Sequence, residues 1–159
     1  VKYEDAYGDG MMAVGVEAAY VIDYSVDAYS IGGNQVAAPY ECAGYFNINN
    51  TCRSMPDLKA KGFVNFTTAE HNFYGAVNYI SSYQDRRFSG ALGRRVDIEP
   101  HTTIDGTYTY SWDDFAMSFS VYHITDELPP FTYWEMSYDA NTHSPLGRFI
   151  KVGFTYNMQ

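Results

Sequence analysis

Apolar and polar residues alternate along most of this chain, with a period of two. In GMMAVGVEAAYVIDYS, for example, Met12, Val14 and Val16 fall on one face, whereas Glu17 and Asp23 fall on the other. Such alternation predicts β-strands that have one apolar and one polar face. The other segments that fit strands are VKYE, LKAKGFVNFTTA, NFYGAVNYISSYQ, TTIDGTYTYSW, FAMSFSVYHIT and RFIKVGFTYNM. The sequence therefore predicts an all-β chain with about seven antiparallel strands.

The connections between these strands alternate in length. Tight turns are predicted at DAYGD, AEH and WDD, and the intervening loops, about 26–57, 85–94 and 127–146, are long. Alternate connections of an antiparallel meander lie at opposite ends of the sheet, so the long loops are expected on one side. Outer-membrane β-barrels have this asymmetry. Strands of about eleven to sixteen residues also suit a tilted membrane crossing, since soluble domains use only about 5–6.

Composition agrees with a transmembrane barrel. The formal charge is −9 with only 10 Lys plus Arg, which excludes nucleic acid as a partner because binding its phosphates requires a basic face. Sixteen residues are Tyr, and aromatic residues collect at predicted strand ends such as Tyr20, Tyr24 and Trp112. Aromatic girdles at the two membrane interfaces predict this placement. The mean hydropathy of −0.32 fits as well, because only alternate barrel residues face lipid.

Two cysteines, Cys42 and Cys52, lie in a long loop rich in Asn and Gly. Their spacing favours a disulfide formed in an oxidising compartment over two free thiols.

An odd number of strands cannot close a barrel whose termini lie on the same side. The chain also begins within a predicted strand, at VKYE. We therefore expect a portion of a larger barrel, or a piece that pairs with another chain, because an open sheet edge in lipid leaves backbone groups unpaired.

The stretch YDANTHSPLGRFIKVGFTYNM resembles the C-terminal hairpin of TonB-dependent outer-membrane receptors. Many of these end in a Tyr-Asp-x-x-x-His-x-Pro-Leu-Gly-Arg loop before the closing strand. The matching residues are Tyr138, Asp139, His143, Pro145, Leu146, Gly147 and Arg148, followed by Phe154 and Tyr156 in the strand. The upstream strands are similar too, so the resemblance spans nearly the whole chain. It departs from the family at Gln159, where the last residue is commonly Phe.

The resemblance implies that residues 1–159 are the C-terminal segment, roughly the last third, of a 22-stranded barrel in the bacterial outer membrane. Nothing in the sequence matches the family's plug domain or TonB box. The implied function is TonB-dependent uptake of a scarce nutrient such as a siderophore, cobalamin or glycan. The implied partners are the remainder of the barrel, the plug, TonB acting through the plug, outer-membrane lipid and lipopolysaccharide, and the nutrient.

Three other functions remain open at the level of sequence. A passive porin-type channel shares the wall chemistry but has no plug. An outer-membrane protease or lipase would need a nucleophile and a base on neighbouring elements, and His123 beside Tyr122 and Thr125 does not supply them. A soluble β-protein that binds small ligands would need no detergent.

Ligand-binding candidates lie in the predicted loops. Arg86 and Arg87 belong, with Arg94 and Arg95, to the only basic cluster. These arginines suit an anionic ligand, but also lipopolysaccharide phosphates or pairing with nearby aspartates. Tyr133 and Trp134 could stack on a ligand or pack their own loop.

The remaining polar residues suggest structural roles. The histidines at positions 71, 101, 123 and 143 lack metal-ligand spacing, and no catalytic group stands out. We therefore expect no enzyme activity, no metal and no cofactor. The charged residues Glu17, Asp23, Lys59, Lys61 and Lys151 are expected to line the barrel lumen.

Overall fold

The computed structural model of the chain describes residues 1–47, 52–87, 96–133 and 135–157. Fifteen β-strands are present there: β1 (Lys2–Tyr7), β2 (Gly10–Tyr20), β3 (Ser25–Val26), β4 (Tyr29–Ile31), β5 (Asn34–Ala37), β6 (Tyr40–Glu41), β7 (Tyr45–Phe46), β8 (Ser54–Met55), β9 (Leu58–Thr67), β10 (His71–Ile80), β11 (Tyr83–Asp85), β12 (Val96–Ile98), β13 (His101–Trp112), β14 (Phe115–Tyr122) and β15 (Phe149–Tyr156). In this part of the chain no helix is long and apolar enough to span a membrane.

Seven long strands form one antiparallel sheet in the order β1-β2-β9-β10-β13-β14-β15. Each of the seven strands pairs with the long strands that come before and after it in the chain. The short strands between them lie in the loops and do not join this sheet. The predicted all-β architecture and its seven strands are confirmed. β2 ends earlier than its sequence pattern, at Tyr20, although the Val21 amide still donates to the Asp57 carbonyl oxygen at 2.8 Å. Beyond that bond the chain turns away into short loop strands.

The connections follow the predicted asymmetry. Tight turns join β1 to β2, β9 to β10 and β13 to β14, and all three lie at one end of the meander. The first of them places Gly8 at a φ of +59°, which favours glycine because a side chain is strained there. The long connections 21–57, 81–100 and 123–148 emerge at the opposite end. We call the described residues of these three connections the loop layer.

The register gives the large sheet two different faces. In one cross-strand row Phe66 pairs with Phe73, Phe73 with Tyr108, Tyr108 with Phe119, and Phe119 with Val152. Every residue of this row is apolar or aromatic. The neighbouring row, on the reverse face, has Thr67, Asn72, Thr109, Ser118 and Gly153 in the same positions. Because side chains alternate along a strand, the contrast continues over most of the sheet. Exceptions are Asp5 of β1, which pairs with Met12 on the apolar face, and Phe63 and Tyr74 on the polar face.

The polar face carries its own hydrogen bonds between strands. The Asn78 amide nitrogen donates to Asp105 Oδ2 at 2.9 Å, and the Thr107 hydroxyl lies 3.0 Å from the Ser120 hydroxyl. The apolar face has no layer packed over it in the described residues, so Ile150, Val152 and Phe154 are 63%, 54% and 76% exposed. Exposed apolar surface of this extent is typical of a surface that meets another molecule or lipid.

The large sheet is open. Its outer strands, β1 and β15, pair with β2 and β14 and not with each other in the described part of the chain. Each outer strand therefore presents one row of backbone donors and acceptors without a ladder partner there.

The loop layer holds a second, four-stranded sheet in the order β12-β11-β7-β8. Its central pair, β11 and β7, is parallel and joins the first long connection to the second. The main buried apolar cluster lies on this small sheet and consists of Phe46, Tyr83 and Ile98, with Ile80 packed against it. The hydrophobic core of the described chain is thus in the loops, not on the long strands.

Candidate functional site

The small sheet of the loop layer separates residues that are neighbours in sequence. Tyr83 and Asp85 point toward the buried cluster, whereas Gln84 between them lies on the outer face. Gln84 pairs with Tyr45 on one side and with Asp97 on the other. The outer face therefore presents a polar cross-strand row, and the inner face carries the core.

The two adjacent arginines of the predicted basic cluster have different environments. Arg87 is 6% exposed and forms a bidentate pair with Asp85, with Nε to Oδ1 at 2.9 Å and Nη2 to Oδ2 at 2.5 Å. Its guanidinium also lies 3.7 Å from the centroid of the Phe46 ring. Pairing with an aspartate was one of the three roles open at the level of sequence. In this arrangement Arg87 holds the loop together and is not presented to a ligand.

Arg86 lies on the outer side. Its guanidinium carbon lies 3.1 Å from the centroid of the Tyr45 ring, and its backbone amide donates to the Phe46 carbonyl oxygen at 2.9 Å. The cation–π contact holds the Tyr45 ring against the small sheet. Of the two arginine candidates, Arg86 is therefore the one placed beside a surface that a ligand can reach.

The predicted disulfide is confirmed. Cys42 and Cys52 are bonded, with their Cα atoms 5.8 Å apart, and both are buried. The bridge closes the loop that carries β7. The Glu41 carboxylate accepts hydrogen bonds from the backbone amides of Ala43 and Cys42, at 3.0 and 3.2 Å. These bonds, the Ala43 amide first, lower the pKa of Glu41.

A buried hydrogen-bonded network joins the second and third long connections. The Tyr83 hydroxyl donates to Asp139 Oδ2 at 2.7 Å, and its oxygen lies 2.9 Å from Nε2 of His143. Because the hydroxyl proton goes to Asp139, the Tyr83 oxygen accepts from the Nε2–H group of His143. We call Tyr83, Asp139 and His143 the tyrosine network. The resemblance selected Asp139 and His143, and Tyr83 is their common partner.

Burial determines the ionisation of the tyrosine network. Desolvation, with a smaller effect from the nearby His101, lowers the pKa of His143 to about 4. Desolvation and the Asp139 carboxylate both raise the pKa of Tyr83. At neutral pH the histidine is therefore neutral and the tyrosine protonated, as the hydrogen bonds require. All three side chains are at most 5% exposed, so this Asp–Tyr–His arrangement is shielded from solvent.

A hydroxyl pair also links the first long connection to the turn that carries Asp139 and His143. Thr142 Oγ1 donates to Ser54 Oγ at 2.8 Å, across 88 residues of sequence. Thr142 itself lies in the turn that begins at Asp139, where the His143 amide donates to the Asp139 carbonyl oxygen at 2.9 Å. All three long connections are therefore linked by polar contacts.

The rest of the family-like motif shapes the approach to β15. The Arg148 amide donates to Asp126 Oδ1 at 2.7 Å, and a Cβ on Gly147 would lie 2.6 Å from the same oxygen. Gly147 is thus needed for this close approach. The Leu146 carbonyl oxygen lies 2.6 Å from Nδ1 of His123, and Pro145 precedes it in the chain. Phe154 and Tyr156 project from the apolar face of β15.

The aromatic candidates of the third connection are only partly described. Tyr133 is 45% exposed and meets the Phe131 ring edge to face, with centroids 5.1 Å apart. Tyr138 forms an isolated antiparallel bridge with Phe131. These contacts fit packing within the loop. The candidate Trp134 and the arginines Arg94 and Arg95 lie outside the described residues.

A cleft of about 280 Å³ opens on the outer face of the small sheet. It is lined by Gly44, Tyr45, Asp57, Ser82, Gln84 and Asp97, among others. Gly44 has a φ of +73°, and a Cβ there would lie 3.0 Å from both Asp57 carboxylate oxygens. Glycine at position 44 therefore allows the first loop to approach this carboxylate.

The sequence patterns singled out Arg86 beside this cleft but missed Tyr45, Asp57, Gln84 and Asp97. Strands of two or three residues are too short for a period to be recognised. In β11 only the middle residue of YQD lies on the outer face, and three residues of sequence do not show this by themselves.

No metal cluster is evident in this structure, since the described residues contain no group of three or more His, Cys, Asp or Glu side chains that could hold an ion. No family model, curated protein or solved structure matches the chain. The resemblance to TonB-dependent receptors therefore stays a prediction.

Proposed function

We propose that this chain forms part of the wall and the outer loops of a TonB-dependent receptor in the bacterial outer membrane, which takes up a scarce nutrient. The remaining strands, to a total of 22, and the plug would come from elsewhere in the same chain or from a partner chain. The ligand belongs to the siderophore, cobalamin or glycan class.

The observation that carries this proposal is the two-faced large sheet. The row Phe66, Phe73, Tyr108, Phe119 and Val152 is apolar across five strands, and the reverse face is polar and hydrogen-bonded. A soluble sandwich or barrel buries its apolar face under a second layer or inside a lumen. A membrane barrel instead exposes that face to lipid and keeps the polar face inside.

The open edges support the same proposal. In lipid, an unpaired backbone group costs several kcal/mol, so β1 and β15 require neighbours there. Further strands on each side would satisfy both edges and continue the apolar surface. The asymmetry of the connections adds the orientation, with the loop layer outside the cell and the tight turns in the periplasm.

The membrane part of the proposal is tested by spin labels at consecutive positions of β15 in the native protein. We expect labels at Ile150, Val152 and Phe154 to collide mainly with oxygen, which concentrates in lipid. Labels at Lys151 and Gly153 should collide mainly with a water-soluble nickel chelate. Equal access of the chelate to both sets would contradict a lipid-facing sheet and favour a soluble β-protein.

The transport part is tested separately in liposomes that contain the whole native protein. A passive porin-type channel admits a small sugar, so arabinose would make such liposomes swell. A plugged receptor does not conduct passively, and we expect no swelling. Swelling at a porin-like rate, together with the alternating label pattern, would replace the receptor by a diffusion channel.

A further inference from the structure

The cleft on the outer face of the small sheet carries polar side chains that the fold does not use. Gln84, Asp57 and Asp97 line it, and within the described residues none of their side chains has a hydrogen-bond or ion-pair partner. On the opposite face of the same sheet Asp85 is fully engaged with Arg87. Polar side chains in a concave site that form no bonds within the protein are available to a ligand.

The types of these groups restrict the ligand. Ionised carboxylates only accept hydrogen bonds, whereas the Gln84 amide and the Ser82 hydroxyl both donate and accept. A matching molecule must therefore present several donors, with acceptors close by. Hydroxyl groups on adjacent carbons meet this requirement, because each one donates and accepts.

The carboxylates of the cleft disfavour anionic ligands. Asp57 and Asp97 place two negative charges on the cleft, and the whole chain has a formal charge of −9. A divalent cation is also disfavoured, since calcium requires about 6–8 oxygen ligands and the described residues form no group of three acidic, His or Cys ligands. Neutral and positively charged organic ligands remain, and of these a sugar supplies the adjacent hydroxyl groups that the cleft requires.

The walls of the cleft are held in place before any ligand binds. Arg86 lies over the Tyr45 ring. The Gly44 carbonyl oxygen accepts a hydrogen bond from the backbone amide of Gln84 at 2.9 Å, and the Gly44 backbone amide donates to the Met55 carbonyl oxygen at 2.8 Å. Preorganised walls lower the entropic cost of binding. The volume of about 280 Å³ suits a small molecule.

We propose that this cleft binds a neutral, polyhydroxylated ligand of the sugar class through Asp57, Gln84 and Asp97. This proposal narrows the ligand class of the proposed uptake function, and rests on it for the assignment of the cleft to the outside of the cell. Arg86 supports Tyr45, which forms one wall.

The test uses the whole native protein in detergent and an array of neutral and acidic oligosaccharides as the probe. We expect binding to a neutral member of the array, followed by titration calorimetry with that sugar. Gln84→Met and Asp97→Asn should each weaken binding about tenfold or more, which corresponds to about 1.4 kcal/mol. The matched variants Gln35→Met and Asp27→Asn lie in the first long connection, outside the cleft lining, and should leave the affinity unchanged.

Three results would overturn the proposal: no bound neutral sugar, preference for acidic sugars, or equal affinity in the cleft variants and the wild type. Calcium binding that Asp97→Asn abolishes, without any sugar binding, would make the cleft a cation site. None of these results changes the spin-label pattern or the liposome swelling, so failure of the sugar site is distinguishable from failure of the uptake function.

Discussion

The large sheet and the loop layer differ in where their apolar side chains lie and in what holds them together. The sheet has a continuous apolar face with no protein packed over it, and the buried apolar residues on its strands are alanines, Ala13 and Ala76, in the described chain. The loop layer has short strands but contains the apolar core, a disulfide, a buried ion pair and the tyrosine network. The loop layer is therefore stabilised by its own contacts, whereas the apolar face of the large sheet has no covering contacts in the described chain.

Breaking the buried ion pair should have the largest effect, and only on the loop layer. Asp85→Asn leaves the Arg87 charge buried without its carboxylate, which typically costs about 3–5 kcal/mol. We expect hydrogen exchange to accelerate throughout the loop layer while the amides of the large sheet keep their protection. Asp97→Asn makes the same change on the exposed side of the small sheet. It should alter hydrogen exchange neither in the loop layer nor in the large sheet. Equal losses in both regions would mean that the two unfold as one unit.

A charge on the apolar face should affect the sheet instead. Val152→Arg places a cation near the middle of β15, where lipid contact would make it cost about 2–4 kcal/mol. We expect less folded protein in the outer membrane and a lower urea midpoint in lipid. Lys151→Arg, one residue earlier on the polar face, is the matched control and should resemble the wild type. A harmless Val152→Arg would show that this face meets water.

Removing the disulfide should loosen the loop layer to a smaller extent. The Cys42→Ser, Cys52→Ser double variant loses a bridge across a sequence separation of 10, worth about 2–3 kcal/mol by chain entropy. We expect faster proteolysis within 21–57 and unchanged assembly of the sheet. Reduction of the wild-type protein should reproduce the effect, and reduction of the double variant should add nothing. Loss of the large sheet in the variant would show that the loop layer is needed to form it.

Mild acidification, by one pH unit below 6.5, should have the smallest effect, and its sign follows from His143. The pKa of His143 is lowered from 6.5 to about 4 by burial and by His101, so the unfolded chain binds this proton more readily than the folded one. Stability is therefore highest above pH 6.5 and falls as pH drops toward 4. The loss is at most about 1.4 kcal/mol for each pH unit. The charged groups around His143 are Asp139, which favours its protonated form, and Lys59, which opposes it.

Hydrogen exchange of the loop layer between pH 7 and pH 4 measures this loss once it is corrected for intrinsic exchange rates. His143→Gln retains an amide donor toward Tyr83 but cannot titrate, so its pH dependence should be flatter. An equally steep profile in this variant would assign the acid sensitivity to other groups.

Much of the large sheet was predictable because its information is local. A period of two assigns Phe73 and Val152 to the apolar face before any pairing is known, and the lengths of the connections then give the asymmetry. The disulfide followed from two cysteines in one loop. The loop layer was not predictable in this way, because its strands are two to four residues long and lack a measurable period.

The sequence by itself thus determined which side chains share a face and where the tight turns lie, since alternation is a property of consecutive residues. Only the tertiary structure decided what meets across the loops. Tyr83 and Asp139 are 56 residues apart, and the parallel pairing of β11 with β7 has no local signature. The alternation of β11 continues into the two residues that follow it, so Arg87 lies in the core with Asp85 and Arg86 lies beside the cleft. Two identical neighbours in the sequence therefore have different roles.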